Sequence, residues 1–365
     1  MITYPHPLDY ATGQKYALTP LKLSTAFEIS PESFYVEELV DFSKLALNKK
    51  RGNYAVLRVW KKGIDTLKAL RIVSKLLDIP ESNILLFGLK DKYAQSISYF
   101  FVKTTLFSGR ESLLDSNNIK IELVGFVKSK PKRSYHVGNK FGIRIEDCKP
   151  DDLHNLKAII SLISTTGLPA YYGYQRFGYF RYNSHILGKS ALLGREDSFA
   201  EALLREIYPL EPRGAAIKRL RGDFTELWYE DLYIKASLSS AFKKLMKMTR
   251  GLLIDSYASY LFNLLINEII EKEGFDKLRT SNLPMPGCTE KIYYYEDIML
   301  REGLTTDLLA KMPCFYRAGV FYTYENTIRK LDDKTVIYEF TLKPGMFATV
   351  VLRELFKENL VFKET

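Results

Sequence analysis

The sequence predicts an α/β protein of two domains, with the second domain inserted into the first. Strand-like and helix-like segments alternate through the first half of the chain, helix-like segments dominate the middle, and strand-like residues return near the end. The chain of 365 residues is also longer than one compact core usually allows. We therefore expect an α/β domain assembled from both ends of the chain and a second domain between them.

The first half of the chain begins with two strands and a helix. Aromatic and β-branched residues predict strands over 34–40 (FYVEELV) and 54–60 (YAVLRVW). The apolar spacing of residues 65–80 predicts a helix closed by its final proline. A proline followed by two aspartates favours the start of another helix over 150–164. Three further strands are predicted between these helices, over 97–103, 119–127 and 141–145.

The middle of the chain is predicted to be mostly helical, over residues 197–207, 237–249 and 254–272. An aromatic, loop-like segment follows at 282–297 (NLPMPGCTEKIYYYED). A strand is predicted over 335–342 (TVIYEFTL), and residues 343–359 read as a turn into a helix. This return to strand is the reason for assigning both ends of the chain to one domain.

The composition, 46% hydrophobic and 26% charged, is that of an ordinary globular protein. We expect a cytoplasmic protein without a membrane span, because the start of the chain lacks an apolar signal-peptide core and no apolar run is long enough to cross a bilayer. The cysteines are odd in number and far apart, which argues against a disulfide framework and a zinc knuckle. The histidines show no metal-ligand spacing, so no metal or other cofactor is expected. The residues concerned are Cys148, Cys288, Cys314, His6, His136, His154 and His185.

The net charge of +10 suggests a polyanionic partner, since lysine and arginine neutralise phosphates. Six basic residues and no acid lie between Glu122 and Glu146, and five basic residues and no acid lie between Asp231 and Asp255. Nucleic-acid binding is one interpretation of these clusters, and a charged surface that keeps the protein soluble is the other.

A tight charge cluster stands at the start of a predicted strand. In residues 85–101 (LLFGLKDKYAQSISYFF), Asp91 lies between Lys90 and Lys92 shortly after Gly88. A solvated turn is one interpretation. Whether a sharper interpretation holds depends on the rest of the chain.

The segment 167–185 (GLPAYYGYQRFGYFRYNSH) is rich in tyrosine, phenylalanine and glycine, and it carries Gln175, Arg176 and Arg181. It suits a surface that stacks bases and contacts phosphates. The alternative is a buried aromatic hinge between domains. The usual dinucleotide, nucleoside triphosphate, zinc-peptidase and α/β-hydrolase motifs are absent from the sequence.

Six segments, taken in order along the chain, resemble the TruD-type tRNA pseudouridine synthase family. The similarity runs from about residue 28 to 356, and the middle of the chain is the least similar part. The resemblance implies a pseudouridine-synthase-like catalytic domain, with a mixed sheet flanked by helices, at 1–179 and 322–365. It implies an inserted, RNA-binding α/β domain at 180–321. The six segments are SPESFYVEEL (30–39), GLKDKYA (88–94), GNKFGIRI (138–145), YYGYQRFG (171–178), SYLFN (259–263) and FTLKPGMFATVVLREL (340–355).

The resemblance also implies the reaction and its residues. Asp91 matches the catalytic aspartate of an enzyme that detaches uracil from its ribose in tRNA, turns it, and rejoins it through carbon. The implied target is uridine 13 of the D-arm. Phe34, Asn139 and Phe347 match the other active-site positions, with Asn139 suited to pair with the edge of the uracil. We expect tRNA as the partner, with no metal, membrane or obligatory protein partner. Residues considered for RNA contacts are Lys90, Lys92, Lys130, Lys132, Arg133, Gln175, Arg176, Lys243, Lys244 and Lys247.

Two other classes of protein stay open at this point. A non-catalytic RNA-binding protein or RNA-folding chaperone on the same scaffold is supported only by departures from the family pattern. These are Glu28, where a basic residue is frequent, and Ser98 and Ala170; Ser96 also departs from the family pattern. The position of Glu28 leaves open which cation partners Asp91. A metal-dependent nuclease would need clustered carboxylates, which no motif here indicates.

Overall fold

The computed structural model describes residues 1–88, 90, 92–107, 114–178, 181–221 and 238–362. It shows an α/β protein with a mixed sheet flanked by helices, which confirms the predicted fold class. The chain divides into two compact units. The helical unit contains Met1–Leu23, Asn155–Tyr322 and Phe347–Thr365, and the sheet unit contains Ser24–His154 and Thr323–Met346. These limits fall at other positions than the predicted domain limits, 1–179 with 322–365 and 180–321, which stay a prediction.

Eight strands of the sheet unit form one mixed sheet. In chain order they are β1 (Phe34–Val40), β2 (Tyr54–Lys62), β3 (Ile84–Leu85), β4 (Gln95–Lys103), β5 (Ile119–Val127), β6 (His136–Ile145), β7 (Tyr324–Lys330) and β8 (Val336–Leu342). Their order across the sheet is β7-β8-β6-β1-β4-β2-β5, with β3 paired to β4. Strands β1 and β4 are parallel, and the other described neighbours are antiparallel. The unit also contains the short strand Phe27–Glu28 and single helical turns at Glu81–Asn83 and Arg133–Tyr135.

A helix, Thr66–Leu77, covers one face of this sheet. Asp65 caps its start, because the carboxylate accepts a hydrogen bond from the backbone N–H of Lys68. Its buried side chains pack on alternate residues of β2, β4 and β5, as the period of two in a strand requires. The buried cluster includes Ala69, Leu70, Val73 and Leu77 of the helix with Leu57, Val59, Phe100, Val102, Ile119 and Ile121 of the sheet. We call this side of the sheet the helix face.

The helical unit is built mainly from helices, with short antiparallel strand pairs between them. The strand pairs are Ile2–Thr3 with Tyr16–Ala17, Leu168–Pro169 with Val320–Phe321, and Asn282–Pro284 with Tyr316–Ala318, and a further short strand is Leu360–Val361. Its described helices are Leu8–Thr12, Ser184–Leu193, Glu196–Leu204, Ala215–Arg221, Leu238–Glu273, Phe275–Arg279, Glu296–Glu302, Thr306–Leu309 and Ala348–Phe356. Helical turns occur at Tyr174–Phe177, Thr289–Tyr294 and Lys357–Asn359. The helix Pro150–Thr166 contains the point at which the chain passes from the sheet unit into this one.

Leu238–Glu273 is one continuous helix of 36 residues, about 54 Å long at 1.5 Å per residue. The expectation of two helices, over 237–249 and 254–272, was wrong here. The helix packs against Ser184–Leu193, and the two helices approach each other closely at Gly188. A Cβ at Gly188 would lie 2.0 Å from the backbone oxygen of Leu253, so no larger residue fits without moving the two helices apart.

Cys288 and Cys314 form a disulfide in the helical unit, with Cα atoms 4.6 Å apart. The sequence argued against a disulfide framework, and this bond contradicts that expectation for two of the three cysteines. Strand Asn282–Pro284 precedes Cys288 and strand Tyr316–Ala318 follows Cys314. Because these two strands pair antiparallel, they bring the two cysteines close together. Cys148 is buried and not bonded to another cysteine.

Candidate active site

Phe34 begins β1 and is buried on the helix face of the sheet. Its ring stacks on Phe141 of β6 at 5.9 Å between centroids, and Phe141 stacks on Phe340 of β8 at 5.3 Å. The row of rings crosses three neighbouring strands, because the register places these residues on one face. Phe34 is therefore the outermost member of an aromatic row rather than an isolated ring.

Asp91 lies outside the described residues, but the residue before it is firmly held. The Lys90 ammonium pairs with Glu38 of β1, with Nζ and Oε1 3.0 Å apart. The Glu38 side chain is 1% exposed, and its other oxygen accepts a hydrogen bond from the backbone N–H of Tyr99. Lys90 therefore already has a buried acidic partner. Direct contact with an RNA phosphate through this ammonium, which stays a prediction, would compete with that pair.

The main chain of Lys90 is bound by two side chains of the sheet unit. The Thr66 hydroxyl accepts a hydrogen bond from Lys90 N–H at 2.7 Å and lies 2.9 Å from the Lys90 carbonyl oxygen, to which it donates. The Lys61 ammonium donates to the same carbonyl at 3.0 Å and to the Ile64 carbonyl at 2.7 Å. Neither Lys61 nor Thr66 was identified from the sequence.

Asn139 is partly buried on β6, opposite Glu38 in the register. Its Oδ1 lies 3.4 Å from Nε2 of His136, which stacks on Phe87. Burial lowers the pKa of His136, so its imidazole is neutral near pH 7. The register also places Asn139, Phe34 and Glu38 on the helix face of the sheet.

Two of the departures from the family pattern lie on the same face. Ser96 and Ser98 of β4 are buried, and their hydroxyls have no hydrogen-bond partner among the described residues. Glu28 is exposed in the strand Phe27–Glu28.

Phe347 belongs to the helical unit, where it is the residue before the helix Ala348–Phe356. Its ring lies 5.5 Å from the ring of Tyr172, and the Arg317 guanidinium covers Tyr172 at 4.1 Å. Gly173 allows this packing, because a Cβ there would lie 2.9 Å from Cβ of Phe347 and 2.2 Å from Oγ1 of Thr349.

Gln175 and Arg176 have partners inside the helical unit. The Thr349 hydroxyl donates to Oε1 of Gln175 at 2.7 Å, which links the 167–185 segment to the helix that follows Phe347. Arg176 donates from Nε to the Ser259 hydroxyl at 2.9 Å, and Nη2 lies 3.6 Å from an Asp255 carboxylate oxygen. Both residues therefore support the local fold, and RNA contact by either stays a prediction.

The remaining basic residues predicted to contact RNA are exposed. Lys92 extends over the ring of Tyr93 at 4.8 Å. A surface loop between β5 and β6 carries Lys130, Lys132 and Arg133. The long helix presents Lys243, Lys244, Lys247 and Arg250, whose spacing of three and four residues puts them on one side.

A family model described as "tRNA pseudouridine synthase D (TruD)" matches residues 14–283 of the chain. The chain belongs to the TruD family. A Pyrobaculum islandicum protein named "Probable tRNA pseudouridine synthase D" is 27% identical, over 98% of this chain and 98% of its own length. A Sulfurisphaera tokodaii protein of the same name is 29% identical, over 92% and 94%. A crystal structure of a Methanosarcina mazei protein assigned to TruD has a TM-score of 0.65 over 95% of this chain and 97% of its own, at 18% identity, so it shows the shared fold.

TruD membership confirms the family that the sequence segments indicated. The TruD family consists of tRNA pseudouridine synthases, which are isomerases, and the predicted enzyme class is confirmed with it. No helix among the described residues is both long and apolar enough to cross a membrane. In that part of the chain, the group of potential metal ligands that lie close together is Cys288, Glu290 and Cys314. The two sulfurs are joined to each other, so they cannot act as thiolate ligands in this state.

Glu38, Lys61 and Thr66 are the residues near position 91 that sequence reasoning missed. A signal for two of them is visible in the strands. Phe34, Val36 and Glu38 alternate along β1, and Lys61 continues the alternation of buried residues on β2. A charged residue in phase with core residues is rare unless it has a buried partner.

Proposed function

We propose that this TruD protein converts a uridine of tRNA to pseudouridine, with Asp91 as the catalytic carboxylate. The main support for the proposal is that Thr66 and Lys61 hydrogen-bond the main chain of Lys90, the residue before Asp91. The chain also belongs to a family of pseudouridine synthases. The main chain of Lys90 is bound by two side chains from the core, and a turn on a solvated surface has no need of such contacts. The target, by the resemblance, is uridine 13 of the D-arm.

The reaction is an isomerisation, so its atoms balance without a second substrate. The bond between N1 of uracil and C1′ of ribose breaks, a bond between C5 and C1′ forms, and the proton from C5 is exchanged for one on N1. A carboxylate suits this chemistry because it can attack the sugar or base carbon, stabilise positive charge on the sugar, or take the proton. The uridine must leave its stack to reach the carboxylate.

The other residues have supporting roles in this proposal. The amide of Asn139 pairs with the edge of uracil, and the neutral His136 beside it fixes the orientation of that amide. Phe34 and Phe347 supply aromatic surfaces for the base or sugar. The exposed lysines of the long helix and of the β5–β6 loop contact phosphates, which position the RNA without reading its sequence. We also propose that the protein acts in the cytoplasm.

The test is pseudouridine mapping on unmodified tRNA transcripts incubated in EDTA. Wild-type protein is compared with Asp91→Asn and with Asp115→Asn, a matched change in an exposed carboxylate that pairs with Lys120. We expect pseudouridine at position 13 with the wild type and Asp115→Asn, and none with Asp91→Asn. A transcript with cytidine at position 13 should stay unmodified.

Three results would contradict parts of this proposal. Tight binding of tRNA without modification by the wild type would favour a non-catalytic RNA-binding protein. RNA cleavage that EDTA abolishes would favour a nuclease. Pseudouridine at another position would retain the reaction and reject uridine 13.

A further inference from the structure

The turn between the end of β2 and the helix Thr66–Leu77 directs two polar side chains onto one residue. Strand β2 ends at Lys62, and Gly63 has φ of +67°, a left-handed conformation that glycine adopts without strain. Thr66 follows three residues later as the first residue of the helix. As a result the side chains of Lys61 and Thr66 both reach the main chain of Lys90, which lies 24 or more residues away in the sequence.

Thr66 makes two hydrogen bonds to Lys90 through one oxygen atom. A hydroxyl can accept from the N–H and donate to the carbonyl of the same residue, because it has both a proton and lone pairs. The donor–acceptor distances of 2.7 and 2.9 Å are those of well-formed hydrogen bonds. Thr66 is 1% exposed, so water does not compete for these contacts.

Lys61, on strand β2 of the sheet, also donates a hydrogen bond to the carbonyl oxygen of Lys90. Its ammonium is bound to the carbonyls of Ile64 and Lys90, and the side chain is 1% exposed on the helix face. Placing a lysine in a core position is costly, since an ammonium loses its hydration there. The neighbouring Lys62 shows the ordinary alternative, because it points to the other face and pairs with Glu32 at the surface.

We infer that Lys61 and Thr66 are positioning residues for the reaction. They fix both hydrogen-bonding groups of Lys90, and the carbonyl carbon of Lys90 is bonded to the nitrogen of Asp91. Lys61 also brings a positive charge to that peptide bond, while the charge of Lys90 itself is paired with Glu38. This inference rests on the proposed function, since positioning matters only if Asp91 reacts.

The chemical reason is the geometric tolerance of catalysis. A reacting group displaced by about 1 Å can lose about 100-fold in rate, even when the substrate still binds. A change at Thr66 or Lys61 should therefore lower the rate of the chemical step and leave tRNA affinity nearly unchanged. A role in folding alone would lower the melting temperature and the active fraction but would not change the rate constant of the folded enzyme.

The experiment uses two matched pairs of variants in single-turnover assays with a full-length tRNA transcript. Thr66→Val removes the hydroxyl and keeps the shape, whereas Thr66→Ser keeps the hydroxyl. Lys61→Met removes the charge from the core, whereas Lys62→Met removes it from the neighbouring surface residue. Maximal rate, tRNA dissociation constant and thermal midpoint are measured for each variant, together with the wild type and Asp91→Asn.

We expect Thr66→Val to lower the maximal rate by about 10- to 100-fold and Lys61→Met by about 100-fold, with tRNA affinity changed less than about threefold. Thr66→Ser and Lys62→Met should stay within about threefold of the wild type. Wild-type rates in both Thr66→Val and Lys61→Met would overturn the inference, as would a failure of Thr66→Ser to restore the rate. If Lys61→Met does not fold, the Thr66 pair decides.

The controls separate this inference from the proposed function. A wild type that forms no pseudouridine rejects the proposed function. An active wild type with an inactive Asp91→Asn, beside fully active Thr66→Val and Lys61→Met, retains the proposed function and rejects only the positioning role.

Discussion

Replacing Arg353 by methionine should strongly destabilise the helical unit. Arg353 lies on the helix Ala348–Phe356, is 1% exposed, and donates from Nε to Oδ1 of Asp9 at 2.7 Å. Its other nitrogens donate to the carbonyl oxygens of Tyr16 at 3.0 Å and Gln14 at 2.8 Å. The pair thus connects the first residues of the chain to the last helix.

The magnitude follows from these three hydrogen bonds. The charge-assisted bond to Asp9 contributes about 1.5–3 kcal/mol, and each bond to a carbonyl contributes about 1 kcal/mol. Asp9 is fully buried, so without the arginine its carboxylate loses its cationic partner and cannot replace it with water. Its remaining hydrogen bonds, from His6 N–H and from the Tyr174 hydroxyl, compensate it only in part. We expect a loss of about 3–5 kcal/mol, the usual cost of breaking one side of a buried ion pair.

The assay is urea denaturation followed by circular dichroism at pH 7, with the free energy of unfolding extrapolated to water. Arg205→Met is the control, because Arg205 pairs with Glu201 on an exposed helix surface and its loss should cost less than about 0.5 kcal/mol. The double variant Asp9→Asn/Arg353→Met should lose about 2 kcal/mol less than the sum of the two single changes. A loss below about 1 kcal/mol for Arg353→Met would refute the reasoning.

Three further predictions concern the disulfide, a buried histidine and a glycine. Reduction of Cys288–Cys314, which closes a loop with a sequence separation of 26, should cost about 3.5 kcal/mol of stability. Thermal melting with and without reductant checks this, and Cys148→Ala should respond as the wild type does. Burial lowers the pKa of His185 to about 3. As the pH is lowered from 6.5 towards 3, the unfolded chain binds a proton at this histidine and the folded protein does not, so the free energy of unfolding decreases as the pH is lowered. Between pH 7.5 and 4.5, the loss from this group should be about 2.7 kcal/mol and should be absent in His185→Phe; equal pH profiles would contradict it. Gly173→Ala should displace Phe347 and lower the rate about 10-fold or more, whereas Gly251→Ala, with open space around its Cβ, should leave the rate unchanged.

Strands rich in buried apolar residues were predictable, and a mostly exposed edge strand was not. The predicted strands over 34–40 and 119–127 coincide with β1 and β5. Strand β7 was missed because its residues, YENTIRK, are mostly exposed at the edge of the sheet and pair on one side only with β8. The long helix was predicted as two, yet it continues through Gly251, where packing of its flanking turns outweighs the roughly 1 kcal/mol helix penalty of glycine.

The candidate site was predictable only where a sequence segment carried it. Phe34, Asn139 and Phe347 came from the resemblance, and the structure shows the first two on one face of the sheet. The partners of Lys90 were not predictable, because hydrogen bonds from Lys61 and Thr66 join residues far apart in the sequence. Periodicity can mark a polar residue as buried, but it cannot say which distant group that residue contacts.

The discontinuous units constrain how this protein is made. Arg353 and Asp9 are 344 residues apart, and strand β6 of the sheet unit pairs with β8, which lies near the end of the chain. At about 5–20 residues per second, a ribosome needs roughly 17–70 s to travel from one residue of the ion pair to the other. Neither unit can complete its core while most of the chain is being synthesised, because each takes its last segment from beyond residue 322. Until the residues beyond 322 are synthesised, the nascent chain therefore keeps an edge of β6 unpaired and Asp9 without its arginine partner, and exposed edges and unpaired polar groups of this kind favour aggregation.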